Sequence, residues 1–450
     1  MPSSFLRTLP VVGIALTLFV SSIFLIHGRN VRASALDGTG RSLFDAIAER
    51  VEETYYRPVD TRLLVTGART GMLAVLKAHK EPLALVPPAQ GSGDPSADND
   101  LMDRTLDGTN GALHGRIAPD AIMKGAIRGM LNALHDPYTT YMTAKEYGDL
   151  EESLNGGDFG GVGIYIVEDP HSGEVLVDPI EDAPAARAGL KPGDAIVAID
   201  GRSVRDMKLD NVERLIRGKV GTAVALLVRA HGSRKPPRLI RVTRAQIHVP
   251  SVRAKIEGEI DYIRLAEFGE TSGDEVRKAI LEGRRRHVRG YVLDLRYNGG
   301  GLLDTAIAVS SLFIPQGPIV STIDRLGEKE TRSALGTSLD ARPLAVLVNH
   351  FSASSSEITA GALEDYHVGT LVGTKTFGKG VVQSLFTLAD NGALKVTTAR
   401  YLTPAGHDIQ HKGILPNVVI DQPDDLRYLD SPRDRQLAAA KALVIRESKE

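Results

Sequence analysis

The sequence contains no cysteine and no tryptophan. The first absence removes disulfides, thiol nucleophiles, iron–sulfur clusters and cysteine-ligated zinc. It does not fix the compartment, because an oxidising environment permits disulfides without requiring them. Aromatic rings are scarce, with 12 Tyr and 10 Phe among 450 residues. Neither sign of charge is in excess: 54 basic residues face 56 acidic ones, a net of −2. That balance gives no support to a nucleic-acid binder, which usually shows a basic footprint. His114, His135, His350, His407 and His411 offer no metal-binding spacing on a helix. Only the loop pair His407/His411 stands four apart, so surface or capping roles are expected and no metal or cofactor is implied. What is present is a composition 42% hydrophobic and 24% charged, that of a folded chain with a sizeable core. The length suggests about three domains.

No charged residue occurs from 8 to 26, with Arg7 before the run and Arg29 and Arg32 after it. Those 19 positions are near the minimum for crossing a bilayer, about 17–25 residues. They also exceed the usual apolar stretch of a cleaved signal. The triplet Ala33-Ser34-Ala35 could be a cleavage site, so both fates stay open. The expectation is a signal or anchor over 1–35, with the rest in the cell envelope on the extracytoplasmic, periplasmic side, or secreted if the triplet is cut. Flanking charge is too balanced to set the orientation.

Residues 36–154 read as a helical N-terminal region. Phe44, Ile47, Ala48 and Val51 share one helical face within 42–80. Pro82, Pro87, Pro88, Gly91, Gly93 and Pro95 predict a flexible loop over 81–115. Two ten-residue stretches starting at Gly67 and Gly125 match at six positions, offset by 58. Each reads as a small-residue helix that lets a neighbour approach closely.

From 155 to 247 strands and turns dominate. A Gly-Gly-Val-Gly loop at 160–163 enters a β-branched strand. Consecutive amides of such a loop can hold a carboxylate, and the adjoining strand edge can accept an extended peptide. A short helix ending at Gly189, the turn at 191–194, a strand at 195–199, the Asp200-Gly201 turn and a helix at 209–217 follow. This order resembles a PDZ domain, which implies recognition of C-terminal peptide ends. Gly161, Val162, Gly163 and Ile164 are the peptide-binding candidates, with Val212, Leu215 and Ile216 as groove or core residues.

Residues 248–430 alternate strand and helix, with strands at Ile260–Leu265, 290–295, 319–323, Leu344–Val348 and 370–372. Helices at 272–282, 302–312 and 354–365 complete a βαβ rhythm that implies a mainly parallel sheet. Residues 431–450 form a C-terminal helix. The junction at 349–358 joins a buried strand to a helix and carries four serines within 350–356. A serine there stands at the sheet's C-terminal edge, and the first amides of the helix suit a developing oxyanion. Helix capping alone would also explain the serines. Lys379 lies in Gly-Thr-Lys-Thr-Phe-Gly-Lys-Gly at 373–380. That nearly satisfies the phosphate-loop pattern, but Gly380 replaces the hydroxyl residue and a strand pattern follows, so nucleotide binding is rejected. A lysine in a glycine-rich turn between apolar residues can lose its charge by burial and act as base toward a serine. Gln383 is placed to hold the amine. A strand at 290–295 runs into Gly299, Gly300 and Gly301, a second source of oxyanion amides.

These motifs, with Thr-Thr-Ala-Arg-Tyr-Leu-Thr-Pro at 397–404, resemble the carboxyl-terminal processing, or tail-specific, proteases over about 40–422. The resemblance implies an α/β multidomain fold: a crotonase/ClpP-like protease core with an inserted PDZ domain and a helical N-terminal region. It implies a serine endopeptidase that acts on the C-terminal tails of proteins through a Ser–Lys dyad and an acyl-enzyme. The nucleophile falls on Ser354, the base on Lys379 and the lysine-orienting glutamine on Gln383, at separations of 25 and 4. The oxyanion donors fall on the amide of Ser355 and on Gly300 or Gly301. Gly299 stands where the family usually has proline. A homo-oligomer and an adaptor are left open.

Overall fold

The structure, a computed structural model, describes residues 23–24, 43–154, 159–169, 172–180, 182–230, 233, 235–247, 249–339, 341–423 and 428–449. The uncharged N-terminal run, Ile23–Phe24 excepted, and the triplet at 33–35 lie outside the described residues. Among the described residues no helix is long and apolar enough to cross a membrane.

The N-terminal region comprises α1 (Leu43–Thr54), α2 (Thr61–Ala78), α3 (Pro95–Leu113), α4 (Pro119–Asn132) and α5 (Ala144–Leu154). The face Phe44, Ile47, Ala48 and Val51 is buried, as its spacing predicts. The two copies of the repeat lie on α2 and α4 and pack on each other. A Cβ on Gly71 would lie 1.9 Å from the Gly125 carbonyl oxygen, and one on Gly129 2.2 Å from that of Gly67. Each copy is thus the close neighbour that the other's glycines admit.

The flexible loop expected over 81–115 is corrected by α3. Asp94 accepts a hydrogen bond from the Ala97 amide at 2.8 Å, and Pro95 opens the helix, both helix-start signals. Met102, Leu106, Thr109 and Leu113 form a sparse buried stripe in an otherwise polar sequence, too weak to register against the surrounding Gly, Asp and Asn. The turn before α3 is also fixed. The buried Asp98 carboxylate accepts from Thr61 Oγ1 at 2.5 Å, the Ser92 amide at 2.6 Å and the Gly93 amide at 3.0 Å.

The PDZ unit is an antiparallel sheet in the order Ile164–Glu168, Val175–Pro179, Ala195–Ile199, Ala223–Arg229, Arg238–Thr243. The short pair Phe159–Gly161 and Ala245–Ile247 joins its two ends. Helices α6 (Pro184–Arg187) and α7 (Leu209–Ile216) cover it.

The protease core holds a six-stranded sheet in the order Val252–Glu257, Ile260–Leu265, Gly290–Asp294, Leu344–Val348, Thr370–Gly373, Val418–Val419. All neighbours are parallel except the first pair. Gly290–Asp294 and Leu344–Val348 are buried at every position, which is why they read as continuous apolar runs. Helices α8 (Ser272–Arg285), α9 (Leu303–Ser311) and α10 (Ser355–Asp365) pack on one face and α11 (Arg435–Glu447) on the other. The strand expected at 319–323 lies instead in a second sheet. There Pro318–Asp324 pairs antiparallel with Lys329–Ser333 and Ala393–Leu402. Ala393–Leu402 also pairs with Val381–Thr387 and with Thr140–Met142 of the N-terminal region. Ile23–Phe24 lies parallel to Val381–Thr387, opposite Gln383 and Ser384.

Candidate active site

The strand Leu344–Val348 ends at the sheet's C-terminal edge, and the chain turns through 349–353 into α10. Three hydroxyls of the serine cluster are committed to carbonyl oxygens. Ser352 Oγ donates to Leu295 O, Ser355 Oγ to Gly301 O and Ser356 Oγ to Asn298 O, each at 2.8 Å. These bonds stitch the serine turn to the loop 295–301. Ser354 Oγ donates to no acceptor among the described residues. Ser354 occupies the N-cap position of α10 with φ of 59° and ψ of −113°. A side chain with positive φ stores backbone strain, a mark of residues held for function.

Glu357, one turn into α10, is fully buried and gathers four donors. Its Oε2 accepts from the amides of Ser354 and Lys379, both at 2.9 Å. Its Oε1 accepts from the Gly378 amide at 2.7 Å and Thr376 Oγ1 at 2.6 Å. Burial raises its pKa, and these donors pull the other way. Tyr401 makes the second tie. Its Oη lies 2.7 Å from Lys379 O and 3.1 Å from Ser354 O, so one hydroxyl proton is shared between two carbonyls. The backbones of Ser354 and Lys379 are therefore held by the same two side chains.

Lys379 is 4% exposed. Its Nζ lies 4.7 Å from the centre of the Tyr138 ring, which belongs to the turn after α4. That turn is braced by Asp136, which accepts from the Tyr138 amide at 2.9 Å and from Thr139 Oγ1 at 2.7 Å. Among the described residues no carboxylate forms a salt bridge with Lys379. Burial, reinforced by the like charge of Lys395, pushes the amine down to about 7, against the pull of Asp136 and Glu357. Gln383 is fully buried on the next strand. Its Nε2 reaches Thr397 Oγ1 at 3.5 Å, and its Oε1 has no partner among the described residues. No hydrogen bond joins the lysine amine to Gln383 or to Ser354 here. An unused buried acceptor is costly.

The loop 295–301 presents amides beside the serine turn. Gly300 donates to Asn298 Oδ1 at 2.9 Å, while Phe268 pairs with the carbonyl side of the loop. The Gly301 amide, with φ of 143°, and the Ser355 amide have no acceptor among the described residues. The two glycine candidates thus separate, Gly300 spent on a loop bond and Gly301 unspent. Asn298 itself donates to Leu265 O at 2.9 Å, which fixes the loop to the neighbouring strand.

In the PDZ unit the sequence candidates divide. Val162, Val212 and Ile216 are buried in its core, so they pack the domain rather than line its surface. Ile164 and Leu215 are half-buried, and Ile164–Glu168 pairs with Val175–Pro179 along one edge only among the described residues. The glycine loop is held shut at its base, where the Gly218 amide donates to Gly160 O at 2.8 Å. Val162 O accepts from the Ala185 amide at 2.8 Å and Gly163 O from that of Ile180 at 3.0 Å.

Residue-by-residue reading missed Asp136, Tyr138, Thr139 and Lys395, which come from distant segments and meet the site only through tertiary packing. Glu357 and Tyr401 stood inside quoted motifs without a role. Among the described residues no cluster of His, Asp or Glu could hold a metal.

Residues 259–420 match peptidase family S41, residues 175–230 a PDZ domain, and residues 113–146 the N-terminal domain of the activating protease CtpB. The chain is 42% identical to the carboxy-terminal-processing protease of Bartonella bacilliformis, over 68% of this chain and 71% of that one. It is 39% identical to the carboxyl-terminal-processing protease of Synechocystis sp., over 71% and 76%. A solved photosystem II D1 C-terminal processing protease is 30% identical, covering 88% of this chain and 98% of that one, with a TM-score of 0.48. The chain belongs to the carboxy-terminal-processing proteases, serine-type peptidases of family S41 that carry a PDZ domain.

Proposed function

We propose that Ser354 is the nucleophile and Lys379 the general base of this peptidase. The observation that carries the reading is the pair itself: a strained serine whose hydroxyl donates to no acceptor among the described residues, tied through Glu357 and Tyr401 to a lysine whose amine is buried without a salt bridge among them. The neutral amine takes the Ser354 Oγ proton as Oγ attacks the scissile carbonyl carbon. The amides of Ser355 and Gly301 receive the oxyanion. The resulting ammonium gives its proton to the leaving amine, and an acyl-enzyme remains. Water, deprotonated by Lys379, releases the shortened product and restores Ser354. Gln383 Oε1 accepts from the lysine amine when the site closes.

The PDZ domain captures the C-terminal end of the substrate. The one-sided edge of Ile164–Glu168 beside α7 supports an added peptide strand, with Gly161 and Gly163 at the carboxylate and Ile164 and Leu215 at the side chain. The uncharged run at 8–26 supports anchoring to a membrane with the catalytic body outside the cytoplasm.

Purified Ser354→Ala and Lys379→Met should each lose roughly a thousandfold or more in kcat/KM on a peptide with a free apolar C-terminus, with unchanged circular dichroism. A serine-directed phosphonate should label the wild type at Ser354 alone. Full proteolysis by either variant refutes the assignment.

A further inference from the structure

Phe44, Phe268 and Phe313 are buried, the usual place for a large apolar ring. Phe351 and Phe377 are instead 40% and 37% exposed. They stand beyond the C-terminal ends of two neighbouring parallel strands, Leu344–Val348 and Thr370–Gly373. The strand on the other side of Leu344–Val348, Gly290–Asp294, leads to a third ring, the half-buried Tyr297. Tyr297 and Phe351 stack, with ring centres 5.1 Å apart and planes at 21°. The exposed His350 lies tilted against Phe351, its ring centre 3.9 Å away. The amides of Tyr297 and Phe351 both donate to Asn349 Oδ1, at 3.0 Å and 3.2 Å, so one buried side chain holds the two turns together. The Phe377 amide donates to Ser352 O at 3.0 Å, which ties its loop to the residue after Phe351. Tyr297 also adopts φ of 59°, a costly conformation for a bulky side chain.

We infer that Tyr297, Phe351 and Phe377 form an apolar subsite that selects a large side chain, aromatic or branched aliphatic, close to the scissile bond of the substrate. The place of the rings argues for the substrate as occupant. In sheets of this kind ligands bind outside the C-terminal ends of the strands. Each ring shares its turn with a group of the proposed site. Phe351 precedes Ser354 by three residues, Phe377 precedes Lys379 by two, and Tyr297 precedes Gly301 by four. Three residues of chain span at most about 11 Å. An extended peptide held at Ser354 covers that distance in about three residues. A stacked pair offers a flat apolar face, which a ring or a branched side chain covers and a small or charged one leaves wet. The PDZ domain then reads the end of the tail, and this face reads the residues at the cut.

This inference deepens the proposed function and rests on Ser354 being the nucleophile. The test uses the full-length protein and a series of peptides with one fixed apolar C-terminal tail, so that capture by the PDZ domain stays constant. Ala, Leu, Phe or Asp is placed in turn at each position flanking the cut, which mass spectrometry maps. At one or more of these positions the wild type should prefer Phe or Leu over Ala by roughly ten- to a hundredfold in kcat/KM. Phe351→Ala and Phe377→Ala should each shrink that ratio by at least about threefold, and Phe351→Tyr should keep it. A wild-type ratio near one, or variants that lose the same factor on Ala and Phe peptides, overturns the inference, since a merely structural role lowers all rates alike. Should Phe351→Ala not fold, Phe377→Ala, on a separate loop, decides alone. A fall from dimer to monomer in sedimentation of Phe351→Ala, with the ratio unmoved, assigns the face to a second copy of the chain and also overturns it. Cleavage retained by Ser354→Ala removes the nucleophile assignment itself. An inactive Ser354→Ala beside a flat wild-type ratio removes only the subsite.

Discussion

Two of the cations buried in the protease body, Arg296 and Lys379, are treated by the fold in opposite ways. Arg296 is fully buried but meets two carboxylates: Nη2 lies 2.7 Å from Asp294 Oδ2, and Nη1 lies 2.8 Å from Asp434 Oδ1. Gln436 Oε1 accepts a further bond from Nη1 at 3.0 Å, and Tyr262 Oη donates to Asp294 Oδ2 at 2.8 Å. Despite its burial, these partners hold the guanidinium in its charged form and its pKa above the ordinary value. The node clamps α11 to the end of the strand that feeds the glycine loop. Lys379 is buried almost as deeply, yet its surroundings are an aromatic ring, a second lysine and carboxylates that form no salt bridge with it. A satisfied buried charge is architecture. A buried amine denied a salt bridge becomes neutral near pH 7 and is available to chemistry.

The comparison sharpens into three expectations. Arg296→Met should be the most damaging to stability, because it leaves Asp294 and Asp434 buried together without their cation. A loss of about 3–5 kcal/mol is expected from denaturant unfolding. Undiminished stability would show that the node carries no net weight.

Lys379→Met should do the reverse at low pH. The folded pKa of Lys379 is depressed, so below about pH 7 the wild type carries the full cost of burying a charge. That cost fades as pH rises from the folded value toward the unfolded one. The variant should therefore be more stable than wild type at pH 6, by on the order of 2 kcal/mol, with the gap closing toward pH 10. A gap independent of pH would contradict the depressed pKa.

Gln383→Leu should show the smallest effect, a loss of roughly ten- to a hundredfold in kcat with little change in KM, because it removes only the acceptor that orients the amine. Unchanged kcat would show that the free Oε1 is incidental.

The positions of Ser354, Lys379 and Gln383 were legible because each sits in a short local pattern: a strand–helix turn, a glycine-rich turn and the strand after it. The structure brings the three segments together. Asp136, Tyr138 and Lys395 were not legible, since nothing near them in sequence announces a site. Their meeting depends on Thr140–Met142 pairing with the start of Ala393–Leu402 in the second sheet. The α2–α4 contact was half legible. The glycines promised a close neighbour, but only the fold shows that the neighbour is the other copy. Residues 81–115 misled because α3 buries few apolar side chains and its capping signals lie among turn residues. In the PDZ unit, strand and helix order was plain. Which face of Val212 and Ile216 points inward depends on the packing of α7 and cannot be read from an eight-residue helix.

The central claim is that one buried amine is neutral at working pH. It can be read directly by NMR titration of isotopically labelled lysine in the Ser354→Ala protein, with Lys379→Met identifying the resonance. The account predicts a midpoint near 7 for Lys379. An ammonium signal that persists past about pH 9 would contradict it.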